Sequence, residues 1–228
     1  MEVINLAERN SIVAAYMAQL RDKQMQQDRT RFRHNLTRIA RIMAYEISQT
    51  LDYAATDVHT PLGTATINLP QNRIVVGTVL RAGLAFHDGF LQVLDGAEAG
   101  FVAAYRVEGR ADAHPKAGEV EIKLDYLASP CLDSCTFILA DPMLATGKSF
   151  ETAHKAFLTN GTPHRLHLCA VVASQQGIDY LKERFPSPDI TLWVAAIDPT
   201  LNDTSYIVPG LGDAGDLSFG SKLPQHRT

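Results

Sequence analysis

The chain has 228 residues, of which 46% are hydrophobic and 20% are charged, and its formal net charge is −4. A hydrophobic fraction this high excludes a disordered chain and is enough to build a sizeable core, while the uncharged apolar stretches fall far short of the roughly 20 residues that a membrane span needs. The three cysteines exclude a disulfide framework and a paired zinc signature, and the acidic balance excludes the broad basic field of nonspecific nucleic-acid binding.

Residues 1–55 are predicted to form a helical arm ahead of the main fold, with the first 50 residues helical. Residues 1–20 carry Glu2, Glu8 and Arg9 and lack the continuous hydrophobic segment of a secretory signal. We therefore expect a cytoplasmic protein.

A cluster of arginines lies within this arm: Arg29, Arg31, Arg33, Arg38 and Arg41. Between them Phe32, Leu36, Ile39 and Met43 recur at helical spacing. This pattern predicts an amphipathic helix whose arginines form the solvated face, and an RNA-binding helix is the alternative interpretation.

From residue 60 onward, β-rich runs alternate with helical segments. We predict strands near 64–69, 74–80, 100–106, 120–126, 136–140, 165–173 and 189–196, and helices near 84–94, 149–160 and 175–185. The alternation predicts an α/β fold with a largely parallel sheet flanked by helices. No linker divides the chain, so we expect a single domain over residues 1–228.

The stretch 107–118 is small, charged and turn-prone, and it lies between two β-rich runs. It is predicted to be a β-hairpin tip or mobile flap. Flaps of this kind often close over substrates.

The segment 136–149, TFILADPMLATGKS, holds the most informative motif in the chain. A buried-type strand ends in Asp141, and a small turn containing Gly147 leads into a helix. Main-chain N–H groups and the positive end of that helix can surround a phosphate, with hydroxyl donors from Thr146 and Ser149. The alternative is an ordinary strand-to-helix turn with Ser149 as the N-cap.

Two glycine patterns imitate nucleotide-binding motifs. The triplet 147–149 lacks the P-loop glycine because Pro142 stands in its place, and the G-x-G-x-x-G of 210–215 is followed by only 13 residues, too few for a βαβ unit. What remains of the second pattern is a glycine-rich loop with Asp213 and Asp216, which is either a binding loop for a planar ligand or an exposed turn.

Two arginines follow predicted strands directly. Arg81 comes after the strand 74–80 and Arg106 ends the strand 100–106. Because parallel strands end at one edge of a sheet, both guanidinium groups are predicted to form an anion clamp beside the phosphate turn.

Several motifs together closely resemble the uracil phosphoribosyltransferases: TPLGTA (60–65), VLRAGLAFHDG (79–89), AYR (104–106), DPMLATGKS (141–149), AAIDPTLND (195–203) and YIVPGLGDAGD (206–216). The segment FRHNLTRIARIMAYE (32–46) is similar to the helical arm of that family, so the resemblance covers nearly the whole chain. It is weakest between residues 107 and 135.

The resemblance implies a type I phosphoribosyltransferase fold and the Mg²⁺-dependent reaction of uracil with 5-phosphoribosyl-1-diphosphate (PRPP) to give UMP and diphosphate. It places the ribose 5-phosphate on the loop made of Pro142, Met143, Leu144, Ala145, Thr146, Gly147, Lys148 and Ser149. Asp141 would hold the ribose hydroxyls and favour the cationic sugar of an oxocarbenium-like transition state, and Arg81 and Arg106 would meet the diphosphate. Mg²⁺ would be held mainly through PRPP, without direct protein ligands.

The resemblance also places uracil in the C-terminal segment 199–228, on main-chain groups of Ile207 and of Gly212, Asp213 and Ala214. Asp213 would also face PRPP and its metal, and it is the candidate for taking the proton from uracil N1. The family commonly forms homodimers or larger assemblies, and the apolar stripe of residues 32–47 is a candidate interface. Some members are activated by GTP. Neither a membrane nor a nucleic acid is an expected partner.

Three departures from the family pattern stand out. Lys148 occupies a position that is usually Gly, where its side chain either supplies a further phosphate cation or crowds the turn. The segment 119–130 keeps Lys123 and Leu124 but loses the usual tyrosines, and His87 replaces an apolar residue, which we interpret as a tolerated change on a helix surface. The alternative functions are a regulator of this fold that binds UMP, uracil or RNA with little catalysis, and the same transfer to another nucleobase.

Overall fold

The computed structural model describes residues 1–107 and 121–222, with the backbone alone for 104–107 and 121–124. Its α-helices are α1 (Val13–Arg21), α2 (Arg29–Ser48), α3 (Leu84–Leu91), α4 (Lys148–Phe157), α5 (Gln175–Arg184) and α6 (Ala214–Phe219). Its strands are β1 (Glu2–Asn5), β2 (Tyr53–Thr60), β3 (Gly63–Pro70), β4 (Ile74–Leu80), β5 (Glu98–Val107), β6 (Glu121–Ala128), β7 (Thr136–Ala140), β8 (Met143–Leu144), β9 (Arg165–Ser174), β10 (Ile190–Asp198), β11 (Thr200–Leu201) and β12 (Ile207–Val208).

The central sheet has the strand order β1-β10-β9-β7-β4-β5-β6, with β8 paired to β9 outside that path. All neighbours are parallel except β5 and β6, which are antiparallel. The strands at the centre are continuous apolar runs, and all five residues of β7 are buried, as expected where helices cover both faces of a parallel sheet. The predicted α/β fold is confirmed.

The helices form one layer on each face of the sheet. Helices α1, α2 and α3 pack over one face in a core that includes Leu20, Met43 and Phe86, whereas α4 and α5 pack over the other in a core that includes Phe150 and Leu181. Within the described residues, no helix is both long enough and apolar enough to cross a bilayer.

Helix α2 is the amphipathic helix that the sequence predicts. The Asp28 carboxylate caps its start by accepting from the N–H groups of Thr30 and Arg31 at 3.0 and 3.1 Å. Its apolar stripe, represented by Phe32 and Leu36, is buried inside the chain's own core. The expectation that this stripe offers an interface between copies is therefore wrong.

The arginines of α2 are partly engaged within the chain instead of forming a uniform basic face. Arg33 donates to the carbonyl of Ser218 at 2.7 Å, and the guanidinium of Arg38 lies over the ring of Tyr16, 5.4 Å from its centre. Through these contacts the two arginines hold α2 against α6 and α1. They weigh against the RNA-binding interpretation of the cluster.

The sequence predicts a helical N-terminal arm, but the arm also contains strands. Glu2–Asn5 pairs with the edge strand β10, and Tyr53 begins the hairpin of β2 and β3, of which only the second strand was expected. Strand β1 is too short, at four residues, for its sequence to show a recognisable alternation of polar and apolar residues. It is stabilised by pairing with a strand almost 190 residues away, which no local pattern reveals.

His87 is another correction, since it lies inside the core and not on a helix surface. Its side chain is 2% exposed, its Nε2 lies 3.1 Å from the carbonyl oxygen of Val76, and its ring packs against Phe101. Burial lowers the pKa of His87 and favours the neutral imidazole. The histidine therefore links α3 to the sheet.

We expect buried His167 to make the fold sensitive to acid. The Nε1–H of Trp193 donates to His167 Nδ1 at 3.1 Å, and burial, assisted by the charge of Arg165, lowers the pKa of His167 from 6.5 to about 4. As the pH falls below 6.5, His167 becomes protonated in the unfolded chain, whereas in the native protein it stays neutral until about pH 4. The free energy of unfolding therefore decreases over that interval. The loss is at most about 1.4 kcal/mol per pH unit.

Chemical denaturation of the wild type and of His167→Gln between pH 7 and pH 4 measures this loss. The variant should show a shallower fall in the free energy of unfolding, because glutamine keeps an acceptor for Trp193 but does not titrate in this range. His164→Gln, at an exposed histidine, should retain the wild-type slope. Identical slopes for all three proteins would contradict the prediction.

Candidate functional site

Five neighbouring parallel strands end at one edge of the sheet, in the order β10-β9-β7-β4-β5. The chain leaves β4 for α3 on one face and leaves β7 for α4 on the other, so the connections diverge between these two strands. Such a switch point opens a crevice at the carboxyl ends of the strands, where α/β proteins bind ligands. Arg81 directly follows β4 and Asp141 directly follows β7, so the fold brings both to this crevice.

The turn after β4 passes very close to the end of the sheet. A Cβ atom on Gly83 would lie 2.0 Å from Thr78 Oγ1 and 2.8 Å from the carbonyl oxygen of Val79. The Thr78 hydroxyl itself donates to the carbonyl of Ala140 at 2.7 Å and joins β4 to β7. Only glycine allows this turn to place Arg81 at the crevice.

The turn after β7 has the form expected of a phosphate-binding turn. The N–H of Asp141 donates to the carbonyl of Cys169 at 3.0 Å, its Oδ1 accepts from the N–H of Met143 at 3.3 Å, and the residue is 8% exposed. Helix α4 begins immediately after the turn, so the positive end of its dipole faces it. The structure thus supplies both the carboxylate and the helix N-terminus that the sequence indicates.

Gly147, and not Ser149, is the N-cap of α4, so the alternative of a Ser149 cap is wrong. Gly147 takes the left-handed φ of 81°, which glycine adopts without strain, and a Cβ there would lie 2.7 Å from Tyr180 Cδ1. Lys148 is the first residue of the helix. The backbone position that requires glycine is therefore 147, and residue 148 accepts a side chain.

Ser174 is a residue that sequence reasoning missed. It is fully buried at the end of β9, where its hydroxyl donates to the carbonyl of Ala145 at 2.6 Å and accepts from the N–H of Gly177 at 2.8 Å. The second contact identifies Ser174 as the N-cap of α5, which a sequence pattern can suggest. The first contact holds the phosphate turn, and no local pattern reveals it.

The glycine-rich loop 207–216 is built into the fold instead of being an exposed turn. Ile207 is 4% exposed, and Gly210, Leu211 and Ala214 are also buried, whereas Gly212 is exposed. The Oδ1 of Asp213 caps α6 by accepting from the N–H of Asp216 at 2.9 Å. The loop therefore has the fixed backbone that recognition through main-chain groups requires.

Arg81 links this loop to the crevice. Its Nη2 lies 3.0 Å from Asp216 Oδ1, and both terminal nitrogens donate to the carbonyl of Gly220 at 3.3 Å. Ala82 packs beside Gly215. The structure thus brings the Arg81 turn and the loop together.

The second expected clamp residue, Arg106, lies on β5 next to β4, and its side chain is outside the described part of the chain. Most of the predicted flap, 108–118, also lies outside the described residues.

Arg21 and Asp198 anchor the other side of the loop, and sequence analysis assigned no role to either. Their side chains form two hydrogen bonds of 2.8 and 2.9 Å, and both residues contact the backbone of Gly210. A cavity of about 560 Å³ lies beside this anchor, and the N-terminal arm contributes Gln26 and Arg29 to its lining. Gly212, Asp213 and Asp216 of the loop also line this cavity, whereas Asp141 and the turn 142–149 do not.

Comparisons with known proteins find close relatives of this chain. A family model for uracil phosphoribosyltransferase matches residues 7–221. A Porphyromonas gingivalis protein named uracil phosphoribosyltransferase is 46% identical over 223 residues, covering 98% of this chain and 100% of the relative, and one from Sulfolobus acidocaldarius is 37% identical over 214 residues, covering 92% and 96%. A solved structure of an Aquifex aeolicus protein matches with a TM-score of 0.83 at 27% identity and covers 97% of this chain and all of its own.

Proposed function

The chain belongs to the uracil phosphoribosyltransferase family and is an enzyme that converts uracil and PRPP to UMP and diphosphate, and we propose that the crevice at the carboxyl edge of its sheet carries this reaction. One observation carries the proposal: Arg81 and Asp141 leave neighbouring strands at the switch point, beside the glycine-rich loop 207–216. Cations for diphosphate, a carboxylate for the sugar and a rigid loop for the base therefore converge on one edge.

The mechanism follows from where charge develops. Breaking the bond between ribose C1 and the diphosphate oxygen leaves positive charge on the sugar and negative charge on the leaving group. The Asp141 carboxylate would stabilise the cationic sugar, while Arg81 and Arg106 would stabilise the diphosphate. The turn 142–149 would bind the 5-phosphate through main-chain N–H groups at the start of α4.

Uracil recognition would use the backbone near Ile207 and from Gly212 to Ala214. The edge of uracil alternates acceptor, donor and acceptor, and fixed N–H and C=O groups reject cytosine by leaving a buried partner unpaired. Asp213 remains our candidate for accepting the N1 proton, since it lies at the start of α6 in this loop.

The donor groups of the crevice fit a Mg²⁺ ion that is held largely by its substrate. The described residues contain no cluster of three or more His, Cys, Asp or Glu side chains able to hold a metal. Mg²⁺ commonly binds through substrate phosphates and waters with only one or two carboxylates, and Asp213 is the carboxylate of the loop that would face the PRPP-bound ion. When bound, Mg²⁺ would supply positive charge that offsets the charge of the diphosphate.

The decisive experiment is a product assay with purified protein, Mg²⁺, PRPP and radiolabelled uracil, run beside cytosine and the purine bases. We expect UMP and diphosphate in equal amounts, with uracil strongly preferred. Binding of UMP without product formation would support the regulator alternative, which the names of the relatives do not favour. Efficient transfer to another base would revise the substrate.

Lys148 provides a second test, because it lies at the first position of α4 in the phosphate turn. We propose that it supplies a further cation for the 5-phosphate. Lys148→Gly should then raise KM for PRPP about three- to tenfold, as expected for one charge-assisted contact made by a partly exposed side chain, and leave kcat within twofold. Lys182→Gly, at an exposed position in α5, controls for the loss of a helical lysine. Higher activity in Lys148→Gly would indicate crowding of the turn instead.

The family also implies a homodimer or larger assembly, and we retain this as a proposal. The stripe of α2 does not supply the contact, because Phe32, Leu36 and Ile39 are buried within the chain. An assembly must use another surface.

A further inference from the structure

We propose that Arg21 and Asp198 are positioning residues that hold the nucleobase loop in its binding shape, and so set the affinity and selectivity for uracil. The inference deepens the proposed function and rests on the assignment of uracil to the loop 207–216. Arg21 ends helix α1 and Asp198 ends strand β10, so the pair joins the N-terminal arm to the sheet at the loop.

The geometry of the pair is that of a bidentate ion pair. Arg21 Nη1 lies 2.9 Å from Asp198 Oδ2, and Nη2 lies 2.8 Å from Oδ1. The Asp198 side chain is only 6% exposed and the Arg21 side chain 25%. Two parallel hydrogen bonds fix the orientation of both planar groups, which a single contact would not.

The pair binds both polar groups of one loop residue. The carbonyl of Gly210 accepts from Arg21 Nη1 at 3.0 Å, and the N–H of Gly210 donates to Asp198 Oδ2 at 2.9 Å. Gly210 has a φ of 56°, and a Cβ there would lie 2.1 Å from the carbonyl oxygen of Ile207. The loop therefore makes a tight turn at Gly210 that the ion pair holds from outside.

Gly210 lies between the two parts of the loop assigned to uracil, three residues after Ile207 and two before Gly212. A site built from main-chain groups has no side chains that can readjust, so it works only while the backbone is held within about 0.5 Å of its productive position. Loosening the turn at Gly210 would separate Ile207 from Gly212 and weaken their joint recognition of the base.

The phosphate turn has its own anchor, which makes the proposed effect selective. Ser174 holds Ala145 from the end of β9, in register with Asp198 on β10. Two neighbouring strand ends thus secure two different loops. Loss of the Arg21–Asp198 pair should affect uracil more than PRPP, and loss of the Ser174 hydroxyl should do the reverse.

The test compares Arg21→Gln, Asp198→Asn and the double variant, with Arg21→Lys as the milder change if Arg21→Gln does not fold. Each single variant should raise KM for uracil at least tenfold while KM for PRPP stays within twofold, and the preference for uracil over cytosine should fall. The double variant should show the same changes as each single variant, because either single substitution already breaks the ion pair. Ser174→Ala should instead raise KM for PRPP.

Arg41→Gln is the matched control, since Arg41 is an exposed arginine of α2 that does not line the cavity beside the loop. It should leave both KM values and the selectivity unchanged. Equal changes in the two KM values, or an unchanged preference for uracil, would overturn the positioning role.

Hydrogen exchange separates this inference from the proposed function. In Arg21→Gln the amides of 207–214 should exchange faster while those of 141–149 keep wild-type rates. A wild type that forms no UMP would refute the proposed function, and unchanged exchange in the loop would refute the anchor.

Discussion

Replacement of Asp141 by Asn should lower the turnover of UMP formation about 10²–10³-fold, the usual cost of removing one preorganised charge from a transition state. The carboxylate lies at the end of β7, where it is 8% exposed and therefore acts in a weakly screened environment. Asn keeps an oxygen that can accept from the N–H of Met143, so the turn should persist while the negative charge is lost. Steady-state rates at saturating uracil and PRPP measure the effect.

Asp95→Asn is a suitable control, because Asp95 is exposed and lies just before β5, at the opposite edge of the sheet. Its turnover should match the wild type. Thermal unfolding should show that Asp141→Asn remains folded at the assay temperature. A folded Asp141→Asn protein with more than a tenth of wild-type turnover would remove Asp141 from the stabilisation of the sugar cation.

Much of the crevice is predictable from sequence because its parts are local. Continuous apolar runs identify β4 and β7, and the residue that follows each strand is then placed at the edge by the parallel topology alone. Arg81 and Asp141 are found in this way. The family resemblance adds the identity of the ligands, which spacing cannot supply.

The remaining features depend on contacts between distant parts of the chain. Arg21 and Asp198 are 177 positions apart, and each alone is an ordinary charged residue at the end of an element. His87 belongs to an amphipathic-looking segment, and its burial follows only from the packing of α3 on Val76 and Phe101. Gly147, and not the Ser149 of the alternative interpretation, caps α4 because the turn takes a left-handed φ, which composition does not encode.

Arg81→Ala should lower kcat/KM for PRPP about 10²-fold, whereas Asp216→Asn should raise it slightly. Arg81 pairs with Asp216 at 3.0 Å, so diphosphate oxygens would compete with that carboxylate for the same guanidinium. A half-exposed ion pair stabilises by roughly 0–1 kcal/mol, so its removal should lower KM for PRPP by no more than about fivefold. The contact with diphosphate is stronger because the phosphate oxygens carry more charge and a bidentate geometry is available.

The pair formed by Arg73 and Glu98 offers a matched control for these variants. It has a similar exposure, with 40% and 46% for its side chains against 41% and 34% for Arg81 and Asp216, but it lies at the amino ends of β4 and β5. Arg73→Ala should therefore leave KM for PRPP unchanged.

A weakened affinity for PRPP in Asp216→Asn would contradict the competition between Asp216 and diphosphate, because loss of a competitor can only strengthen binding. It would mean that Asp216 orients Arg81 toward the diphosphate.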